Sequence, residues 1–219
     1  MKNLISGIKD FQTNFYPKDK ALFQELANKQ EPEVMFLTCS DSRIDPTLIT
    51  QTEPGDLFIH RNAGNIVPPH SLATGGVTAS VEFAVSVLGV KYIILCGHTD
   101  CGAMKGAMQP EVTKSLPHVH AWLSHCYAAL ARVSARHDDM NTEDHLHEMT
   151  EENVLLQIKH LETHPSVAQK MATGDLELHG WIYHIGTGEV TCYDPASGKF
   201  IPVADRYAFL HTDAEAVNS

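Results

Sequence analysis

The chain has 219 residues, 43% of them hydrophobic, and 27 acidic side chains against 16 basic ones give a formal net charge of −11. This suffices for one domain with a sizeable core, and the acidic balance excludes a nucleic acid or an anionic membrane as partner, because phosphate groups attract basic surfaces. Five cysteines without disulfide-framework spacing, and no apolar run of signal-peptide or membrane-span length, predict a soluble cytoplasmic protein.

Residues 1–30 have the pattern of an amphipathic helical arm that is interrupted at Pro17. Leu22, Phe23 and Leu26 are spaced to cover one face of its second part. An apolar face of this kind needs a partner, so we expect the arm to pack on a neighbouring subunit. Residues 1–219 as a whole are expected to form one domain.

Two short apolar runs predict buried strands at residues 34–38 and 92–96, and residues 57–60 can form another short strand between them. Residues 74–88 carry apolar side chains at helical spacing, which gives a β-α-β order and a parallel sheet. That helix opens with Gly75-Gly76. The paired glycines either leave backbone N–H groups free to hold an anion or allow close packing, and both interpretations stay open.

Two long patterns at residues 117–136 and 142–171 predict helices that cover the sheet. The next segment alternates apolar and polar residues and turns at residues 186–188 into a short apolar run, which predicts a hairpin. The sequence therefore predicts a single α/β domain with a mostly parallel central sheet, an antiparallel edge strand, flanking helices and an N-terminal helical arm.

Two clusters of potential metal ligands follow the first and third predicted strands. In an extended segment Cys39, Asp41 and Arg43 project to one side and can converge on one point. His98 and Cys101 have the i, i+3 spacing of one turn. Strand ends of an open α/β sheet are a common place for such sites, so we expect the two clusters to meet.

The donor types in these clusters indicate zinc. Two thiolates and one imidazole form a borderline-soft set, whereas magnesium and calcium prefer oxygen ligands. Gly97 and Gly102 flank the second cluster and would let the backbone approach an ion closely. Asp41 can complete a tetrahedron, which would leave no position for water and give a closed, inert site.

Arg43 offers a way to open that site. A guanidinium binds a carboxylate through two parallel hydrogen bonds, so Arg43 can draw Asp41 off the metal and free the fourth position for water. A catalytic zinc lowers the pKa of bound water to about 7, which supplies hydroxide near neutral pH. The residues thus predict attack of zinc-bound hydroxide on a small electrophile.

The two clusters resemble the signatures of the β-class carbonic anhydrases. Cys-Ser-Asp-Ser-Arg stands here as Cys39 to Arg43, and Cys-Gly-His-x-x-Cys-Gly stands as Cys96 to Gly102. The resemblance covers most of the chain, including residues 55–58, 61–65 and 179–181. It is greatest to bacterial members that are encoded beside cyanate-degrading genes.

The resemblance implies reversible hydration of carbon dioxide to bicarbonate and a proton. Cys39, His98 and Cys101 would hold one zinc ion per chain, and Asp41 would exchange between the zinc and Arg43. The family also implies a homodimer or a larger homo-oligomer.

By position, the resemblance further implies a substrate pocket. Gln30 would be its glutamine, Phe58 an apolar wall contributed across a dimer interface, and Gly102 a backbone N–H donor. Arg61 would either add positive charge for bicarbonate or anchor the dimer.

One departure from the family bears on regulation. Phe36 stands where the bicarbonate-inhibited subgroup usually carries tryptophan, which favours the open form in which Arg43 holds Asp41. Two other functions stay open: a related zinc hydrolase acting on a sulfur analogue such as carbon disulfide, and a catalytically silent, zinc-stabilised scaffold.

Histidines are frequent in the predicted helices, among them His125, His160 and His164. A solvated polar face accounts for them as well as a role in carrying protons away from the zinc site does. The sequence does not choose between these interpretations.

Overall fold

The computed structural model describes residues 1–71, 75–137 and 143–210. Its centre is a six-stranded sheet in the order β2-β1-β3-β4-β5-β6. The strands are β1 (Val34–Cys39), β2 (Leu57–Asn62), β3 (Tyr92–His98), β4 (Glu177–Tyr183), β5 (Val190–Asp194) and β6 (Lys199–Pro202). Strands β2, β1, β3 and β4 run parallel to one another, β5 pairs antiparallel with β4, and β6 pairs antiparallel with β5.

This topology confirms the predicted mostly parallel sheet with an antiparallel edge. The hairpin is formed by β4 and β5. β6 is an additional edge strand that the sequence pattern does not indicate, because it has only four residues and ends in a proline.

The central strands β1 and β3 carry the core. Both are buried along nearly their whole length, which explains why their sequences are continuous apolar runs. Met35 and Leu37 face one apolar cluster and Phe36 faces another, as the two-residue period of a strand requires. Both faces of the sheet are therefore covered.

Helices surround this sheet. They are α1 (Lys2–Asp10), α2 (Lys20–Leu26), α3 (Pro46–Thr50), α4 (Gly76–Phe83), α5 (Gly102–Met108), α6 (Pro110–Thr113), α7 (Pro117–Leu123), α8 (Tyr127–Ser134), α9 (Glu143–Glu162), α10 (Pro165–Ala172) and α11 (Val203–Arg206). Short π-helical segments extend α1 to Phe15 and α4 to Leu88. No helix in the described part of the chain has both the length and the apolar character that crossing a membrane requires.

The two long helices predicted from the sequence are each broken. A 3-10 turn separates α7 from α8, and Pro165 begins α10 after α9 has ended. Proline lacks the N–H that a continuing helix would need, whereas the first position of a new helix tolerates it. The predicted helix starts at Thr74 and Thr142 lie outside the described residues.

Helix α9 lies unusually close to the sheet because two strand positions are glycines. A Cβ at Gly97 would come within 2.9 Å of Val154 on α9, and one at Gly180 would come within 2.8 Å of the same side chain. Helix packing accounts for a glycine at position 97, and the predicted close approach to an ion stays a prediction. The residue makes room for a helix.

The N-terminal arm has the predicted helical form. It consists of α1, the π-helical segment and, after a turn at Pro17, α2. Leu22, Phe23 and Leu26 are partly buried, and none of the residues in α1 or α2 is buried. The packing of the arm on a neighbouring subunit stays a prediction.

Candidate metal centre

The three predicted ligands meet at the carboxyl edge of the sheet. Cys39 ends β1, His98 ends the adjacent parallel strand β3, and Cys101 follows immediately before α5. All three are at least 95% buried. Their donor atoms lie within 4.8 Å of one another, and the two sulfur atoms are 3.9 Å apart. Among the described residues, this is the one cluster of three or more such side chains that can hold a metal ion.

The geometry of these donors fits zinc. Zn–S bonds of about 2.3 Å in a tetrahedron place two sulfurs about 3.8 Å apart, close to the separation found here. His98 donates its Nδ1 proton to the carbonyl of Thr99 at 2.9 Å, which leaves Nε2 as the free lone-pair atom. Nε2 is buried without a hydrogen-bond partner in the described structure, as expected for a metal ligand.

The electrostatics of the two thiols also favour a cation. The hydrogen bond from Cys101 lowers the pKa of Cys39, helped by His98 and by the N–H of Gly64. The same interaction, together with burial, raises the pKa of Cys101, although N–H groups at the start of α5 oppose the shift. One sulfur therefore ionises at the expense of the other, and a divalent cation between them would allow both to be thiolates.

Asp41 and Arg43 form a bidentate ion pair beside the ligands. Arg43 donates from Nε to Oδ1 of Asp41 at 3.0 Å and from Nη2 to Oδ2 at 2.8 Å. Its backbone N–H also donates to Oδ1 at 3.0 Å. Arg43 holds the pKa of the Asp41 carboxyl far below its usual range. Oδ2 of Asp41 nevertheless lies only 3.9 Å from Nε2 of His98.

The predicted extended geometry of this segment is wrong, although the predicted convergence is found. The strand ends at Cys39, and the chain turns at Ser42 and Arg43. A carboxylate that accepts the N–H two residues ahead closes such a turn by itself, so Asp41 and Arg43 meet through a local loop.

Arg61 is held by the backbone of the ligand loop. It donates from Nε to the carbonyl of Cys39 at 2.9 Å and from Nη2 to the carbonyl of Asp41 at 2.7 Å. In this chain its guanidinium thus fixes the segment that carries two predicted ligands. This contact differs from both predicted roles of Arg61, which are attracting bicarbonate and anchoring a dimer.

A buried amide network supports the Cys39 sulfur from the other side. Gly64 donates its N–H to Sγ of Cys39 at 3.3 Å, and its carbonyl accepts from Asn153 of α9 at 3.1 Å. Asn153 accepts in turn from Gln157 at 2.9 Å, and Gln157 accepts from the N–H of Val67 at 2.9 Å. Both amide side chains are essentially fully buried. The sequence gives no signal for them beyond their positions on an otherwise ordinary helix.

Of the three predicted pocket residues, two are exposed and one is partly buried. Gln30 lies exposed between α2 and β1, and Phe58 on β2 packs against Phe83 with ring centroids 5.9 Å apart. Gly102 is exposed directly after Cys101, and a Cβ there would meet nothing within 4 Å. Their roles toward a substrate stay predictions.

Phe36 is fully buried beneath the site. Its ring meets Trp181 edge-on at 6.2 Å, within an apolar cluster that also contains Ile44 and Ile94. Apolar side chains thus surround the Phe36 ring, and the open form that the missing tryptophan favours stays a prediction.

Two of the helical histidines have structural contacts. His160 donates from Nδ1 to the carbonyl of Val67 at 2.7 Å, and His164 from Nε2 to the carbonyl of Pro68 at 3.1 Å. Burial lowers the pKa of both imidazoles. They anchor the loop after β2 to α9 and α10.

Comparison with known proteins gives a consistent family. A family model described as carbonic anhydrase matches residues 34–190. A carbonic anhydrase from Pseudomonas aeruginosa is 45% identical over 217 residues, which cover 99% of this chain and 96% of that protein. One from a Synechocystis strain is 42% identical over 216 residues, covering 98% of this chain and 79% of that protein. The solved structure of the β-carbonic anhydrase CcaA superposes with a TM-score of 0.90 at 43% identity, covering 92% of this chain and 98% of that one.

Proposed function

The chain belongs to the β-class carbonic anhydrases, and from this premise we propose that it uses zinc to interconvert carbon dioxide and bicarbonate. The observation that carries the zinc assignment is the convergence of three buried donors, from Cys39, His98 and Cys101, beside a carboxylate that Arg43 holds. Zinc bound there would supply an acidified water as the nucleophile.

Asp41 decides whether the fourth position is available. With both its oxygens bonded to Arg43, it stays ionised and can still accept a hydrogen bond from a water at that position. Because the pKa of Asp41 is far below neutral, the carboxylate would orient such a water without taking up its proton. Oδ2 of Asp41 lies 3.9 Å from Nε2 of His98. Asp41 would therefore need only a short movement to reach the closed form, in which it binds the metal itself.

The substrate side of the site is proposed from position. The N–H of Gly102, an exposed residue, would donate to a substrate oxygen, while Gln30 and the apolar ring of Phe58 would complete the pocket across a subunit interface. Two solved relatives from Sordaria macrospora are described as tetrameric β-carbonic anhydrases, and one matched chain is 32% identical with a TM-score of 0.72. We accordingly propose a homodimer or a larger homo-oligomer.

We also propose a reducing, cytoplasmic environment. The five cysteines are free thiols in the structure. Two of them must stay reduced to bind the metal, which an oxidising compartment would oppose.

The test is stopped-flow carbon dioxide hydration from about pH 6.5 to about pH 9, with zinc measured on the same samples. Activity over the whole range with about one zinc per chain is expected for an open site. Activity that begins only above about pH 8 would mean that Asp41 caps the metal. Zinc without activity at any pH would overturn the proposal in favour of a sulfur-analogue hydrolase or a silent scaffold.

A further inference from the structure

Asp100 lies between two of the metal ligands, at a position that the family signature leaves unspecified. Its backbone is left-handed, with φ of 58°, a conformation that aspartate tolerates better than most residues. The turn brings Asp100 to Arg43. Nη1 of Arg43 donates to Oδ2 of Asp100 at 2.9 Å, and Nη2 donates to its carbonyl oxygen at 3.1 Å.

Asp100 is itself held from the far side. Lys105, on the first turns of α5, pairs with Oδ1 of Asp100, the oxygen that Arg43 does not use. A continuous row of alternating charges therefore runs from Asp41 through Arg43 and Asp100 to Lys105. It links the loop after β1 to the loop after β3, so that it joins the two ligand-bearing segments outside the metal itself.

Asp100 and Asp41 bind Arg43 at the same time without competing for one edge of its guanidinium. The two carboxylates use different edges of the guanidinium: Asp41 takes Nε and Nη2, and Asp100 takes Nη1 with its carboxylate. The one shared atom, Nη2, has two protons, one for each acceptor. If both carboxylates had used the same edge, Asp100 would have weakened the bond between Arg43 and Asp41.

Arg43 needs such support because its side chain is 43% exposed. An exposed arginine loses side-chain entropy when it is held in one orientation, and a single exposed ion pair offsets little of that loss. A second fixed point on the opposite edge leaves the guanidinium plane already aligned with Asp41.

We propose that Asp100, steadied by Lys105, is a positioning residue that keeps Arg43 oriented to hold Asp41 away from the metal. This inference rests on the proposed function only for its catalytic meaning. The contact between Asp100 and Arg43 can be tested without any turnover.

The test is the solvent exchange rate of the Arg43 Nε proton, measured by NMR on the zinc-loaded protein and assigned by its absence in Arg43→Lys. This proton bonds to Asp41, and its exchange requires that bond to open, so the rate reports even rare openings. Asp100→Asn keeps the size of the side chain and its tolerance of left-handed backbone but removes the charge. We expect exchange to become about two- to fivefold faster, the range expected for one exposed ion pair.

The matched control is Asp175→Asn. Asp175 is a similarly exposed carboxylate paired with Lys170 at 3.3 Å, and it precedes β4, at the end of the sheet opposite the ligands. The Arg43 Nε proton should exchange at the same rate in Asp175→Asn as in the wild type. Lys105→Met should give a smaller acceleration than Asp100→Asn. Asp100→Gly, which permits the left-handed backbone, should match Asp100→Asn.

Equal exchange in Asp100→Asn and the wild type would overturn the positioning role. Carbon dioxide hydration measured on the same samples separates the two proposals. An inactive wild type in which Asp100→Asn still accelerates exchange would refute the function and support the positioning role. An active wild type, with exchange unchanged in Asp100→Asn, would support the function and refute the positioning role.

Discussion

The metal centre has a buried side and an exposed side, and different interactions hold them. On the buried side, Cys39, His98 and Cys101 sit where backbone N–H groups and two buried amides fix their surroundings. On the exposed side, Asp41 and Arg43 belong to a row of ion pairs at the surface. Broken buried hydrogen bonds cost the full desolvation of their groups, whereas exposed ion pairs are individually weak. A bound metal would thus be held rigidly, while the carboxylate beside it would be freer to move.

The largest effect should follow from removing a ligand on the buried side. Cys101→Ala is expected to lower bound zinc from about one per chain to nearly none, because two remaining ligands cannot hold the ion tightly. Zinc content measured by atomic absorption after dialysis checks this. Cys126→Ala is the control, because Cys126 is fully buried in the same apolar cluster. Full zinc content in Cys101→Ala would refute the ligand assignment.

On the exposed side, Arg43→Ala should separate activity from metal binding. Asp41 would lose its partner and cap the metal, so we expect more than about a tenfold loss of hydration activity near pH 7 with zinc and fold retained. Arg132→Ala removes another half-exposed arginine, paired with Glu152 at 3.2 Å, and should leave activity unchanged. Wild-type activity in Arg43→Ala would contradict the exchange of Asp41.

The buried amide network of Asn153 and Gln157 should contribute to the free energy of unfolding. Asn153→Ala leaves the carbonyl of Gly64 and an N–H of Gln157 unpaired in the interior, so we expect a loss of about 1–3 kcal/mol in the free energy of unfolding. Urea denaturation measures it. Asn28→Ala, which removes an exposed bond to the carbonyl of Gln24, should cost far less. Equal stability of the two variants would show that the network contributes little.

The smallest effect concerns pH. Burial lowers the pKa of His164 in the folded chain, so below the ordinary value of about 6.5 the unfolded chain takes up a proton that the folded chain does not. The free energy of unfolding should therefore decrease as the pH is lowered from about 7 to about 5. His164→Gln should make this decrease smaller. His118→Gln, at an exposed position, should not. A wild-type slope in His164→Gln would exclude His164 as its source.

The sequence predicts the fold and the three converging donors well, because their signals lie within short stretches of the chain. Buried parallel strands are legible as apolar runs, and Cys39, His98 and Cys101 each stand at or just after the end of one. The turn that joins Asp41 to Arg43 is less legible, because a period of two residues suggests a strand that in fact ends at Cys39.

The rest depends on contacts distant in sequence. Asn153 meets Gly64 across 89 residues and Arg43 meets Asp100 across 57, and each is an ordinary polar residue in its own segment. Only the folded chain brings such pairs together. The roles of Gln30, Phe58 and Gly102 depend on a second subunit in addition, so neither the sequence nor one folded chain tests them.

The two glycines beneath α9 make the metal centre sensitive to the far side of the sheet. The absence of side chains at Gly97 and Gly180 lets Val154 pack against the strands, and the preceding residue, Asn153, bonds to Gly64 and through it reaches the Cys39 sulfur. A single added methyl group would lift the helix and carry the amide with it. The position of the Cys39 sulfur therefore depends on the absence of side chains at Gly97 and Gly180.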